Sequence, residues 1–386
     1  MKSTLPVNRV LLVLVLLALA SLWGLDYASV QPNRIVPGAG QSLLSALGWP
    51  WASVLTLLLV ICAFTPARSS SRALLYQLMI VALLLLQLPL SLAWFIEQHV
   101  DPALPYARAG IGAGFWVLLF LLGLMLIEIK QRLNLHAGWS LLIWLLMLLT
   151  ILACASWLEP LALMREYQTR SPQFSQALRS HLAMVGGAVG FSLVSGFMLA
   201  LLLNRYPVAR KSCFGVLSFI QTIPSLALFG LLIAPLSYLS ANSPMLQQLN
   251  VRGIGWAPAL LALIAYSLLP MVRNTFIALH EVSADVLESA RGMGMSPIQV
   301  FMQVRLPLAL PIIIEGVRIT TIQAIGLTAV AALIGAGGFG TFIFQGLGQA
   351  AMDLILLGAL PIIVLALLAD AFFSAVAARF KQGVRE

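Results

Sequence analysis

Charge is what this chain has least of. Only 9% of its 386 residues are Asp, Glu, Lys or Arg, against roughly a quarter in a soluble domain. Acidic residues are the scarcer sign, 13 against 22 basic. That scarcity excludes an ordinary soluble domain. The chain is 61% hydrophobic, in several runs of about 20 apolar residues, each long enough to cross a bilayer. The expectation is an all-α, polytopic transmembrane helical bundle whose main surroundings are lipid. A net charge of +9 would point to nucleic acid in a soluble protein. Here basic loop residues that fix membrane orientation account for it, and no nucleic-acid partner is expected.

Other absences narrow the chemistry. The three cysteines, Cys62, Cys154 and Cys213, have neither a disulfide-like nor a metal-like spacing and read as small packing residues. His99, His136, His181 and His280 are scattered over loops and span ends, so no metal, cofactor or catalytic residue is expected. No G-x-x-x-x-G-K-[ST] occurs, so the chain does not hold ATP on a P-loop. Carboxylates are nearly missing from the apolar runs: Asp370 lies inside one, and Glu128, Glu315 and Asp353 lie at edges. An ion-coupled secondary transporter normally needs such groups at mid-membrane. A membrane-embedded enzyme would show acidic or histidine clusters at one face. Both remain the alternative function classes.

Ten spans are expected, at about 8–25, 48–64, 73–96, 110–129, 139–158, 182–203, 212–233, 257–279, 312–334 and 355–378. The first has the form of a leader, with Lys2 and Arg9 ahead of it and Ala18-x-Ala20 within it. It is taken as an uncleaved span because the topology closes when it is counted. With the loop after residue 280 in the cytoplasm, 16 of the 22 basic residues fall inside, from Lys2 through Arg68 to Arg385. The remaining six, Arg34, Arg108, Arg165, Arg170, Arg179 and Arg252, fall outside. Both termini are then cytoplasmic. Gly110, Gly112 and Gly114 read as packing glycines at the start of the fourth span. A hydrophilic segment at 159–181 separates five spans from five.

The loop at 281–311 reads EVSADVLESARGMGMSPIQVFMQVRLPLALP. It predicts two short helices about a glycine break. Ser283 N-caps the first, with Asp285 in the first turn, where the helix dipole favours an anion. Gly292 and Gly294 supply the positive φ that ends it. Ser296, Pro297 and Gln299 form an N-cap, a first-turn proline and a capping box for the second. Pro307 and Pro311 are expected to stop that helix and return the chain to the bilayer.

Within the loop, Glu288-Ser289-Ala290 precedes Gly294 by three residues, and nine more lead to Val304-x-Leu306-Pro307. This resembles the cytoplasmic EAA loop, E-A-A-x3-G-x9-I-x-L-P, of the permease subunits of binding-protein-dependent ABC importers. Ser289 and Val304 stand where that pattern has alanine and isoleucine. A plain solvated helix pair between two spans is the competing reading. The resemblance implies a type I importer core in residues 181–386, with 1–180 as an accessory membrane region. It also implies partners: a cytoplasmic ABC ATPase dimer that the loop engages, a second permease subunit, identical or a shorter relative, and a periplasmic or surface solute-binding protein. The location implied is a bacterial inner membrane.

Two further runs bear on the substrate. In IQTIPSLALFGL, Pro224 interrupts a span, and Thr222 and Ser225 are hydroxyls suited to the freed backbone groups. A packing kink and a lining of the translocation path stand at equal weight. In IGAGGFGTFIFQG, Gly335, Gly337 and Gly340 spell G-x-G-x-x-G, but a membrane helix ahead of them argues against a dinucleotide site and for a hinge or close contact. Both runs resemble the glycine betaine, choline and carnitine permeases. That resemblance implies a quaternary ammonium substrate and places Thr222, Pro224, Ser225 and Phe339 as candidates along its path.

Overall fold

The computed structural model describes residues 8–34, 36, 38–63, 71–101, 103–104, 106–133 and 137–382. Lys2, Arg68, His136 and Arg385, used above, lie outside them. The chain forms two compact units, Met1–Thr169 and Arg170–Glu386.

The first unit contains helices α1 (Arg9–Gly24), α2 (Leu43–Ala63), α3 (Ser71–His99), α4 (Ala113–Leu133), α5 (Ala137–Ala153) and α6 (Ala162–Thr169). It also contains strands β1 (Ala28–Gln31), β2 (Ala39–Gln41) and β3 (Arg108–Ile111). Helices α1 to α4 close a ring in which each packs on the next and α4 returns to α1, with α5 against the outside of α3. The ring forms because each helix turns a stripe inward at helical spacing. Leu11, Val15, Ala18 and Leu22 of α1 meet Leu118, Leu122, Met125 and Ile129 of α4 in one buried core. Asn8 caps α1 by accepting from the Val10 N–H at 3.0 Å, as an N-cap side chain does.

The three-stranded antiparallel sheet, order β2-β1-β3, was not visible in the sequence. It closes the end of the ring where α1 finishes and α4 begins. Its strands are only three or four residues long and carry no clear alternation. Gly110 therefore lies in a strand rather than at a span start, pairing with Ser29. Gly112 donates its N–H to the Tyr27 carbonyl at 2.9 Å, and a Cβ on it would stand 2.2 Å from the Asp26 carbonyl oxygen. Tyr27 is buried beneath the sheet, with its hydroxyl on Ser91 of α3 and its ring edge-to-face with Phe115.

The second unit contains α7 (Ser171–Arg205), α8 (Ala209–Thr222), α9 (Ser225–Ala241), α10 (Pro244–Gln248), α11 (Trp256–His280) and α12 (Ala284–Gly292). It continues with α13 (Pro297–Gln299), α14 (Leu306–Ala331), α15 (Gly340–Gly348) and α16 (Met352–Gln382). Helix α11 is the hub, packed on α7, α8, α9 and α14, while α16 packs on α14 and α15. Small side chains permit the close α7–α11 approach: Ala188, Ala259 and Ala262 are fully buried.

Seven described helices are long and apolar enough to cross a bilayer, and the bent pair α8–α9 makes an eighth. Helices α1 and α5, of 16 and 17 residues, account for the other two expected spans. The hydrophilic segment at 159–181 is not a loop: α6 occupies part of it, and α7 begins at Ser171, eleven residues ahead of the expected 182.

Candidate coupling site and broken span

The first loop helix, α12, is capped at both ends as its residues dictate. Ser283 accepts from the Val286 N–H at 3.4 Å, and Asp285 sits in the first turn. At the other end Gly294 has φ +84°. The Gly294 N–H donates to the Arg291 carbonyl at 2.9 Å and the Met295 N–H to the Ala290 carbonyl at 3.3 Å. These two bonds make a Schellman motif with Gly294 at its left-handed position. Gly292, expected to share that role, is the last residue of the helix itself.

The second loop helix departs from expectation. Ser296 and Gln299 do form the capping box: the Ser296 N–H donates to Gln299 Oε1 at 2.8 Å, and the Gln299 N–H to Ser296 Oγ at 3.4 Å. The helix then does not stop at Pro307 or Pro311. A π-helical turn, Val300–Arg305, joins α13 to α14, and helix continues through both prolines to Ala331. The reason is geometric. A proline lacks its own N–H and crowds the carbonyl four residues back. The wider π turn shifts the register just ahead of Pro307, with the Leu306 N–H reaching the Phe301 carbonyl, five residues back. The second loop helix and the span are thus one continuous rod, Pro297–Ala331.

Arg305 clamps that rod to α11. Its Nε donates to the Leu279 carbonyl at 2.9 Å, one of the orphan acceptors at the α11 C-terminus. The sequence offered Arg305 only as a basic loop residue. Its position within the loop was readable; its partner, 26 residues away, was not.

The motif residues divide by exposure. Glu288 is exposed and its side chain makes no ion pair or hydrogen bond among the described residues. Ser289 is exposed and donates to the Asp285 carbonyl at 2.8 Å. Ala290 is only 2% exposed, on a helix that packs against the π turn. Val304 and Leu306 are half-buried and Pro307 is exposed. Around the Gly294 turn, Met293 is 74% and Ile298 75% exposed, with Met302 exposed close by in sequence. Large apolar side chains displayed on a polar loop mark a contact surface.

The break at Pro224 is sharp: α8 and α9 meet at 103°. Thr222 and Pro224 are exposed and Ser225 is half-buried. The Thr222 hydroxyl donates to the Phe219 carbonyl at 2.7 Å within its own helix. The carbonyl of Ile223, in the break, takes its bond from the Tyr266 hydroxyl of α11. Gln221 Nε2 in turn donates to the Tyr266 carbonyl at 2.9 Å. Sequence reasoning found the proline and missed Tyr266, which no local pattern announces.

The glycine run after α14 is a second Schellman turn. Gly335 has φ +78°, its N–H donates to the Ala332 carbonyl at 3.0 Å, and the Ala336 N–H donates to Ala331 at 3.2 Å. Gly338 donates to Ser180 Oγ at 3.0 Å. A helix precedes the G-x-G-x-x-G and no strand does, as the membrane reading expected. Phe339 is fully buried, its ring 5.1 Å from Phe174 and 5.5 Å from His181, so in this conformation it offers no surface to a path.

Comparison with known proteins agrees with this architecture. Residues 192–382 match the family described as "Binding-protein-dependent transport system inner membrane component". Residues 8–164 match "ABC transporter permease YehY, N-terminal domain". The carnitine transport permease protein OpuCB of Listeria monocytogenes is 38% identical over 49% of this chain and 80% of its own length. The osmoprotectant import permease protein OsmW of Salmonella typhimurium is 38% identical over 49% of this chain and 83% of its own. The choline transport system permease protein OpuBB of Bacillus subtilis is 35% identical over 55% of this chain and 90% of its own. The chain is a multi-pass membrane protein and belongs to the permease subunits of binding-protein-dependent ABC importers, alongside their osmoprotectant branch.

Proposed function

We propose that this permease carries glycine betaine or a related quaternary ammonium compound across the bacterial inner membrane, with both termini in the cytoplasm. A separate ABC ATPase dimer hydrolyses ATP, and a periplasmic or surface binding protein delivers the solute. A second permease subunit, identical or a shorter relative, completes the path. Residues 181–386 form the translocating core and 1–180 an accessory region. The substrate class rests on the relatives' names, which include carnitine and choline.

One observation carries the mechanism: the helix that starts just past the exposed Gly294 turn runs without a break through the π turn into α14 and is clamped to α11 by Arg305. Closure of the ATPase cleft displaces the surface formed by Glu288, Met293 and Ile298. Ala290, Val304, Leu306 and Pro307 seat the loop on its rod, so the displacement passes into α14 and α11. The α8–α9 bend, with Thr222, Pro224 and Ser225, hangs on α11 through Tyr266 and lies on the path that opens and closes.

The test is receptor-stimulated ATP hydrolysis by the reconstituted transporter. A Cβ on Gly294 meets nothing within 4 Å, so substitution there strains the backbone alone. Asn, which tolerates a left-handed φ, is expected to keep coupling, and the β-branched Gly294→Val to abolish it while the protein still inserts. Normal stimulation in the Val variant would refute the coupling role of this loop.

A further inference from the structure

The accessory unit carries a site that transport through the core does not use. Where α6 follows α5, an open cavity of about 430 Å3 is lined by Arg108, Ser156, Glu159, Arg165, Gln168 and Thr169. Its size falls in the range of small-molecule sites, about 300–1,000 Å3. Apart from Pro160, every lining side chain is polar or charged.

The cavity is built from behind. Glu166 is buried and holds two cations on one oxygen: Arg34 Nε at 2.8 Å and Arg108 Nη1 at 3.1 Å. Strand β3 supplies Arg108, and its neighbour Ala109 donates to the Pro160 carbonyl at 3.0 Å, so strand and cavity wall are fixed together. Among the described residues the Arg108 Nε is buried without an acceptor. The cavity meets the part of the Arg108 side chain that stays accessible, 13% of it.

The charge pattern selects the cavity's occupant. Two guanidinium groups suit a carboxylate or phosphate, which accepts paired N–H bonds from arginine. One exposed carboxylate on the same wall, Glu159, suits a cationic group. We propose that this cavity binds a small zwitterion, its anionic group on Arg108 and Arg165 and its cationic group beside Glu159. In the orientation proposed above it opens on the outer face. Two sources share this chemistry: a betaine in solution and the headgroup of phosphatidylethanolamine.

The test uses the full chain without its ATPase. Glycine betaine is titrated calorimetrically into protein in nanodiscs of phosphatidylglycerol, and again with phosphatidylethanolamine added. Choline and acetate serve as probes lacking one of the two charges. Betaine is expected to bind in phosphatidylglycerol more tightly than either probe. Arg165→Gln and Glu159→Gln are each expected to weaken it at least about tenfold, the loss of one charge-assisted bond. Both are rim positions, and an unchanged thermal unfolding midpoint verifies their folding. If added phosphatidylethanolamine abolishes betaine binding, and that lipid is retained by wild type but lost from both variants, the headgroup is the occupant. Equal affinity in wild type and both variants overturns the site, as does an absence of both betaine heat and variant-sensitive lipid retention. The binding assay involves no ATP hydrolysis, so its failure leaves the coupling reading standing, and a failed Gly294 test leaves this site standing.

Discussion

Tyr266 and Gln221 are tied together across the bend of the broken span. Gln221 Nε2 donates to the Tyr266 backbone carbonyl at 2.9 Å, and the Tyr266 hydroxyl donates to the carbonyl of Ile223, two residues beyond Gln221. The Tyr266 hydroxyl thus serves a carbonyl in the Pro224 break, and the Gln221 amide serves the Tyr266 carbonyl, to which Pro270, four residues on in α11, has no N–H to donate. Tyr266→Phe keeps the ring and removes the donor. The orphaned carbonyl is expected to cost about 1–2 kcal/mol locally. Amide exchange over residues 225–228 should quicken by the corresponding factor, while exchange in α7 stays as in wild type. Unchanged exchange at the bend would mean that the elbow stands without Tyr266.

The clamp at Arg305 gives a second prediction. Its Nε bond to Leu279 at 2.9 Å joins the loop rod to the end of α11. Arg305→Gln removes the charge at a helix C-terminus along with the bond, a loss of about 1–3 kcal/mol. The expected result is a futile cycle: ATP hydrolysis persists in the assembled transporter, but fewer solute molecules move per ATP. A ratio of transport to hydrolysis equal to wild type would show that α11 does not need this link.

Ala290 tests the same loop by volume. It is buried where α12 packs on the π turn. Ala290→Leu inserts a side chain into filled space, a strain of about 1–3 kcal/mol, and lifts α12 from its seat. Receptor-stimulated hydrolysis should fall several-fold. Ala290→Gly, which only removes a methyl, should retain most of it. A loss in the Gly variant with none in the Leu variant would point to helix propensity rather than packing.

What could be read from the sequence was local. The caps at Ser283 and Ser296 and the left-handed Gly294 follow from neighbours three to five residues apart, and the structure has them. The helices behind the ten expected spans follow from apolar runs. What stayed hidden depends on partners far along the chain. Arg305 meets Leu279, Tyr266 meets Ile223, and β1 pairs with β3 some 80 residues later. The prolines misled for a related reason. Pro307 and Pro311 are read as helix stops because each breaks an α-helical register, and the π turn that admits them has no sequence signature.

The first unit should prove sensitive at Glu166. This buried carboxylate pairs with both Arg34 and Arg108, which come from the loop after β1 and from β3. Glu166→Ala leaves two cations beside each other, one of them nearly enclosed. Breaking such a pair from one side costs about 3–5 kcal/mol. The expected outcome is early unfolding of residues 1–169, seen as protease cleavage there, while the second unit keeps its helical protection. Uniform stability of the variant would mean that water already screens the pair.

Two glycines in the run after α14 are required for different reasons, and substitution separates them. Gly335 has φ +78°, and a Cβ on it meets nothing within 4 Å. Its requirement is conformational, so Gly335→Asn should cost no more than about 1 kcal/mol, because Asn enters the left-handed region more readily than most residues. Gly340 has no positive φ, but a Cβ there would stand 1.9 Å from the Ala329 carbonyl oxygen. Backbone cannot swing aside as a side chain can, so Gly340→Ala must push α15 off α14. The cost expected is on the order of 3 kcal/mol or more, larger than an ordinary surface change. Membrane abundance and the thermal unfolding midpoint in detergent measure both variants. Gly335→Asn should remain near wild type and Gly340→Ala should fall well below it. The reverse order would show that the turn, rather than the α14–α15 contact, holds this end of the core together.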